Sequence, residues 1–337
     1  MLPCIPHFIL SFITPSRSRG MTRRGPTQET MDLRTVGNPW MRLPWLVHFE
    51  RRDICFLLFV TANVLWFRGP LALVLTSSLQ DEYSQHYSHI ILIPLLCVYL
   101  LYHGRAAIFA RVEWSPLLGS ILMAVGGAVS LGTEEPASEA LDNFSATLLS
   151  FVMICWGAFL FCYGAQAFLA ASFGLGLMVF MVPFPSFILD AIIGFLQRSS
   201  ADAVKLLFSA FGIPVIREEF IFKLSNFTIF VAEECSGIRS FLALVITSLV
   251  AGHWFLTSWW ARVLLVTVVI PLAIIKNAFR IVGLTLLANY VDPTYLTDSA
   301  LHRSGGIPLF LLSLIVLSGV VWLLRRWECR PASMITR

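Results

Sequence analysis

Long, nearly uninterrupted apolar runs separated by short polar stretches set the rhythm of this chain. A helix needs about 17–25 predominantly apolar residues to cross a bilayer. Runs of that kind recur at 54–76, 88–103, 115–132, 144–163, 165–182, 240–257, 262–287 and 305–324. Backbone polar groups within hydrocarbon must be satisfied internally, so such runs are helices. The pattern predicts an all-α polytopic membrane protein with about eight transmembrane helices. The first run is interrupted at Arg68-Gly69-Pro70, which predicts a shorter span followed by a surface segment, and the fourth and fifth are barely separated.

The interlude at 183–239 breaks the rhythm. Pro183-Phe184-Pro185 stops the fifth run. From Ser186 to Gly212 the polar residues Arg198, Asp202, Lys205 and Ser209 fall at i, i+4, i+7 and i+11, one stripe on an otherwise apolar helix. That pattern predicts an amphipathic helix lying in the outer membrane interface. Phe220, Phe222 and Leu224 then alternate with Ile221 and Lys223, Ser225-Asn226 form a turn, and 228–231 run extended. These signals predict a short β-hairpin, which delivers Cys235 to the mouth of the sixth span.

Composition agrees with the pattern. Of 337 residues, 57% are hydrophobic and 13% charged, with a mean hydropathy of +0.77, whereas soluble domains carry about 25% charged residues. The net charge of +4 forms no basic stripe, so a nucleic-acid partner is not expected. The seven cysteines show no CxxC or Cys/His zinc spacing, so neither metal nor cofactor is expected. The apolar run 8–13 is too brief for a signal peptide. Residues 1–49 read as a disordered cytoplasmic extension, with Met21 and Met31 as alternative starts, 50–325 as the transmembrane domain and 326–337 as a cytoplasmic tail.

Charge also orients the chain, because Lys and Arg concentrate in cytoplasmic loops. With eight spans, Arg51, Arg52, Arg105, Arg111, Arg262, Arg325, Arg326 and Arg330 all fall on one side. Asp81, Glu82, Glu134, Glu135, Glu139, Asp142, Asp292 and Asp298 fall on the other. Both termini are therefore expected in the cytoplasm, with the interlude facing outward.

Reactive groups gather at that outer face. Cys97, Cys155 and Cys162 read as small buried hydrophobes, and Cys235 is the one cysteine expected outside. A helix N-terminus there favours thiolate, although Glu233 and Glu234 oppose it. Gly237 lets backbone approach a reacting carbon closely. Arg280 lies in the outer half of the seventh span. It either snorkels to the interface or, with Asn277 on the same face, lines a polar interior site. His302, in Leu301-His302-Arg303-Ser304-Gly305-Gly306, is either a solvated loop residue or a base. Convergence of the three favours chemistry. A thiolate needs a base that later protonates a leaving amine, and a tetrahedral intermediate needs a fixed oxyanion donor. Together they make a cysteine acyl-transfer site. Arg239, four residues after Cys235, either binds a substrate carboxylate or pairs with Glu233 and Glu234. Ser236 is a further supporting candidate.

The segment around Cys235, the pair Asn277-x-x-Arg280 and the His302 segment resemble the exosortase/archaeosortase family of membrane transpeptidases. Tyr87-Ser88-His89 with Ile93-Pro94, the Pro183-Phe184-Pro185 turn and Gly212-Ile213-Pro214-Val215 add to the likeness, which covers about residues 50–325. The resemblance implies catalytic roles for Cys235, Arg280 and His302, and a site facing the periplasm of a bacterial inner membrane. It implies exported protein substrates with a C-terminal Pro-Glu-Pro-like motif, a membrane span and a basic tail. Membrane lipid and exopolysaccharide machinery are further candidate partners. Ile90 stands where the family carries Gly after Tyr-Ser-His, so His89 is either a secondary ligand or a helix-start residue.

Two other classes compete. Glu233-Glu234 followed by Arg239 is similar to the E-E-x-x-x-R motif of glutamate-type intramembrane proteases. Here four residues intervene rather than three, and no H-x-x-x-N completes the site. A non-enzymatic membrane protein of polysaccharide export is the third reading. The absence of a pair of broken-helix repeats speaks against transport.

Overall fold

The computed structural model describes residues 50–79, 90–132, 141–224, 228–231, 236–291 and 306–329. The chain divides into two compact units, Met1–Ile54 and Cys55–Arg337. Of the first, the described part is Glu50 and the opening turn of a helix, where the Glu50 amide donates to Asp53 Oδ2 at 3.0 Å.

Among the described residues of the larger unit, helices cover most of each apolar run. Helix α1 (Arg51–Trp66) and α2 (Arg68–Leu79) meet at a bend of 68°, at the Arg68-Gly69-Pro70 interruption. Helices α3 (Leu92–Ile108) and α4 (Pro116–Gly132) follow, each of 17 residues. Helix α5 (Leu141–Ala170) leads into α6 (Ser172–Leu177) and a 3-10 turn (Met178–Met181). Helix α7 (Ser186–Ala210) precedes the strands, and α8 (Ile238–Phe255), α9 (Trp259–Tyr290) and α10 (Gly306–Glu328) complete the unit. Four of these helices are long and apolar enough to cross a membrane, or up to six if each bent pair is one span. Helices α3 and α4 are shorter apolar helices.

The close spacing of the fourth and fifth apolar runs has a local cause. Gly164, with φ 85° and ψ 173°, interrupts α5 in a conformation open to glycine alone. The segment before α4 presses into this break. The Glu113 amide donates to the Tyr163 carbonyl at 3.2 Å, and a Cβ on Gly164 would stand 2.4 Å from the Glu113 oxygen. The same two helices pack closely at Gly119, where a Cβ would lie 2.5 Å from the Phe161 amide nitrogen. Small residues let helix backbones approach this closely in membrane proteins. Asn63 fastens α1 to α5, its amide donating to the Phe151 carbonyl at 3.0 Å and to Cys155 Sγ at 3.2 Å.

Helix α7 turns 87° from the segment Ser172–Met181. Its buried residues Ile193, Leu196, Gln197, Ser200, Ala201, Val204 and Phe208 recur at three- and four-residue spacing and form one face. Arg198, Asp202, Lys205 and Ser209 are exposed on the other, as their periodicity predicts. The helix ends at Ala210, two residues before the expected Gly212, which takes φ 68°. Beyond it, β1 (Ile216–Glu218), β2 (Ile221–Lys223) and β3 (Thr228–Phe230) form an antiparallel sheet in the order β1-β2-β3. Phe222 pairs with Arg217 on one side and Ile229 on the other. The third strand, β1, is an addition to the expected hairpin. Phe222 and Val231 pack with Ala201, Val204 and Phe208 of α7 and Ala278, Ile281 and Val282 of α9. This cluster ties the sheet and α7 to the helix that carries Arg280.

Candidate functional site

The described part of the site is a buried polar knot where α7, α8 and α9 meet. Apolar periodicity alone would fill these positions with Leu or Val. They hold Gln197, Ser200, Ser236, Lys276 and Asn277, all buried. Buried polar groups are costly unless they bond, so each partner restricts how the helices sit.

Asn277 stands at the centre, 1% exposed. Its amide donates to Ser200 Oγ at 3.0 Å, joining α9 to α7. Its side chain also abuts Gly237, where an added Cβ would come 3.1 Å from Asn277 Oδ1. Gly237 is the N-cap of α8 with φ 79° and ψ 17°, a left-handed conformation that costs other residues about 1–2 kcal/mol. Both the backbone and the space therefore call for glycine here. One turn into α8, Ser240 Oγ donates to the Gly237 carbonyl at 2.9 Å. The Lys276 ammonium in turn donates to Ser240 Oγ. On the α7 side, Gln197 Nε2 donates to the Val231 carbonyl at 2.7 Å, fixing the chain as it leaves β3.

Arg280 is half-buried, one turn beyond Lys276 and on the same face of α9. Two cations thus follow one another at i and i+4 in a helix long and apolar enough to cross a membrane. Arg239 is exposed in the first turn of α8. Ser236 is 2% exposed, and its hydroxyl has no hydrogen-bond partner among the described residues.

Several residues expected to carry chemistry lie outside the described residues: His89, Glu233, Glu234, Cys235 and His302. The expected meeting of Cys235, Arg280 and His302, and the pairing of Arg239 with the glutamates, rest on them. Of the other expected residues, Gly237 and Asn277 touch, and Arg280 extends from the same helix as Asn277. Cys97, Cys155 and Cys162 are buried, Cys55 is half-buried and Cys329 is exposed.

Motif and periodicity give no role to Lys276, Ser240, Ser200 or Gln197. One signal was available for the lysine, a charge in the middle of an apolar span. The hydroxyls and the glutamine carried none, since isolated Ser and Gln on a helix are ordinary.

A bundle of apolar helices, several long enough to span a bilayer, around a buried cationic knot defines a multi-pass membrane protein. The model of the transmembrane exosortase family (Exosortase_EpsH) matches residues 78–319, and the chain belongs to that family. The match is narrower than the expected 50–325 and leaves α1 and nearly all of α2 outside it. No individual curated protein and no solved structure matches the chain.

Proposed function

We propose that this chain is a cysteine protease and transpeptidase of a bacterial inner membrane. It cleaves the C-terminal sorting signals of exported proteins and transfers them to an acceptor at the cell envelope. The substrates carry a Pro-Glu-Pro-like motif, a membrane span and a basic tail. Both termini lie in the cytoplasm and the active site faces the periplasm.

The Cys235 thiolate attacks the scissile carbonyl carbon, and the Arg280 guanidinium stabilises the oxyanion. His302 protonates the leaving amine as the C–N bond breaks, leaving an acyl group on sulfur as a thioester. An acceptor amine or water then attacks the thioester carbonyl, His302 takes its proton, and the thiolate is regenerated. Asn277 and Gly237 hold the turn, and Arg239, Ser236, Glu233, Glu234 and His89 are supporting groups.

The observation that carries this reading is the close approach of the Asn277 side chain to Gly237, where an added Cβ would come 3.1 Å from Oδ1. Gly237 follows the proposed nucleophile by two residues, and Asn277 precedes the proposed oxyanion donor by three, so one contact links the two chain segments. The match at residues 78–319 also includes all three proposed catalytic positions.

Cys235→Ala and Cys235→Ser are expected to abolish release of the C-terminal fragment, followed on a gel. Continued release ends the nucleophile assignment. Arg280→Lys should lower turnover about 100-fold or more, the usual cost of removing an oxyanion donor. Glu234→Gln separates the rival: total loss in this variant beside an active Cys235→Ala chain would assign a glutamate-type protease. A non-enzymatic export component predicts that Cys235, Arg280 and His302 are each replaceable without changing processing of any protein.

A further inference from the structure

The buried lysine has no part in the mechanism above. Lys276 is 7% exposed and sits in the interior of α9. Its partner among the described residues is the neutral hydroxyl of Ser240. An ammonium carries three donors, and among the described residues one acceptor engages it. The ion pairs among the described residues lie elsewhere, between Arg217 and Asp202 and between Lys223 and Glu218. Arg280, one turn on, adds positive charge to the same face instead of offsetting it. A buried cation without a counter-ion is costly, and more so within a membrane span.

Two further features point the same way. Helix α8 begins at Gly237, an N-cap residue with no side chain of its own, and the helix dipole places partial positive charge at that end. Beside it the Ser236 hydroxyl is buried with no partner among the described residues. The Lys276 ammonium meets the first turn of α8 through Ser240, whose hydroxyl donates to the Gly237 carbonyl, and Ser236 directly precedes that N-cap. Such a set of donors fits an anion.

We infer that Lys276, with Ser240 and the start of α8, forms a subsite for a carboxylate of the substrate polypeptide, an acidic side chain near the scissile bond. The inference rests on the proposed peptide chemistry, since carboxylates are the anionic side chains a polypeptide brings. It makes Lys276 a specificity-determining residue acting on ground-state binding. Arg280, about 6 Å further along the helix axis, keeps its proposed role at the oxyanion.

The test uses the full chain in detergent, with Cys235→Ala to prevent turnover. Two fluorescent peptides that include the apolar run of a sorting signal are compared by anisotropy, one with Pro-Glu-Pro and one with Pro-Gln-Pro. The chain with Lys276 should prefer the acid by about 10- to 100-fold, the range of a charge-assisted hydrogen bond. Lys276→Met should bind both peptides alike, at the affinity of the amide peptide, whose unchanged binding also shows that the variant is folded. Lys276→Arg should keep part of the preference. In turnover by the Cys235 chain, Lys276→Met should raise KM with kcat nearly unchanged. A preference that survives Lys276→Met, or one absent with Lys276 present, overturns the subsite alone. An effect confined to kcat moves Lys276 to transition-state stabilisation and overturns it too. Displacement of the acid peptide by millimolar acetate reassigns the site to a free carboxylate and overturns the substrate assignment. Failure of both peptides to bind overturns the sorting-signal reading and the subsite with it.

Discussion

Gly237 and Asn277 show how little freedom the site's residues have. A methyl group at Gly237 meets two penalties, the left-handed backbone and the Asn277 side chain at 3.1 Å. Gly237→Ala is therefore expected to cost about 1–2 kcal/mol from the backbone alone and to displace the turn after Cys235. Processing should fall further than the melting temperature in detergent predicts. Asn277→Leu keeps the volume but leaves the Ser200 hydroxyl, 0% exposed, without the donor that reaches it at 3.0 Å. An unsatisfied buried group costs about 1–3 kcal/mol, so this variant should melt lower. Ser200→Ala added to it should restore part of the loss, because both polar partners are then gone. At this scale the sequence already singled out Cys235, Arg280 and Asn277. Ser200 and Ser240 stayed hidden, because a hydroxyl acquires meaning from the atom opposite it, and that atom belongs to another helix.

Elements join at points where one supplies what another lacks. Helix α9 begins after Ser258, whose own side chain gives no cap. Glu328, at the end of α10, supplies it instead: its carboxylate accepts from the Ser258 amide at 2.8 Å, the Thr257 amide at 3.1 Å and Thr257 Oγ1 at 3.2 Å. A carboxylate at a helix N-terminus also meets the favourable end of the dipole. Glu328→Ala should destabilise the chain by about 1 kcal/mol, as lost caps do, read as a lower melting temperature. Cleavage per folded molecule should be unchanged. Gly164→Val meets the Glu113 carbonyl at the α5 break and should reduce the yield of folded protein sharply, since backbone cannot give way as a side chain can. Runs of apolar residues marked nearly all these helices in advance. Their joints were less legible: Gly164 is one glycine among 21, and its role appears when the Glu113 backbone crosses it. Strand β1 was equally silent, because three residues carry too little alternation to read.

For the whole molecule, the uneven spread of Arg and Lys predicts an orientation that labelling can test. A membrane-impermeant maleimide applied to intact cells, with the outer membrane permeabilised, should label Lys205→Cys on the exposed stripe of α7 in a Cys235→Ala chain, and leave the Cys235→Ala chain without it unlabelled. It should reach exposed Cys329 after the inner membrane is opened. The reverse pattern inverts the topology and removes the site from the periplasm. Composition and periodicity by themselves determined that this chain is a multi-pass helical membrane protein. They also marked the polar interlude, because hydrocarbon tolerates few backbone solutions and exposes charge as an exception. What tertiary structure alone decided is which polar side chains meet. The bonds of Lys276 to Ser240 and Asn277 to Ser200 span 36 and 77 residues of chain. Contacts of that range follow from the packing of three helices and a small sheet, and no local pattern of residues encodes them.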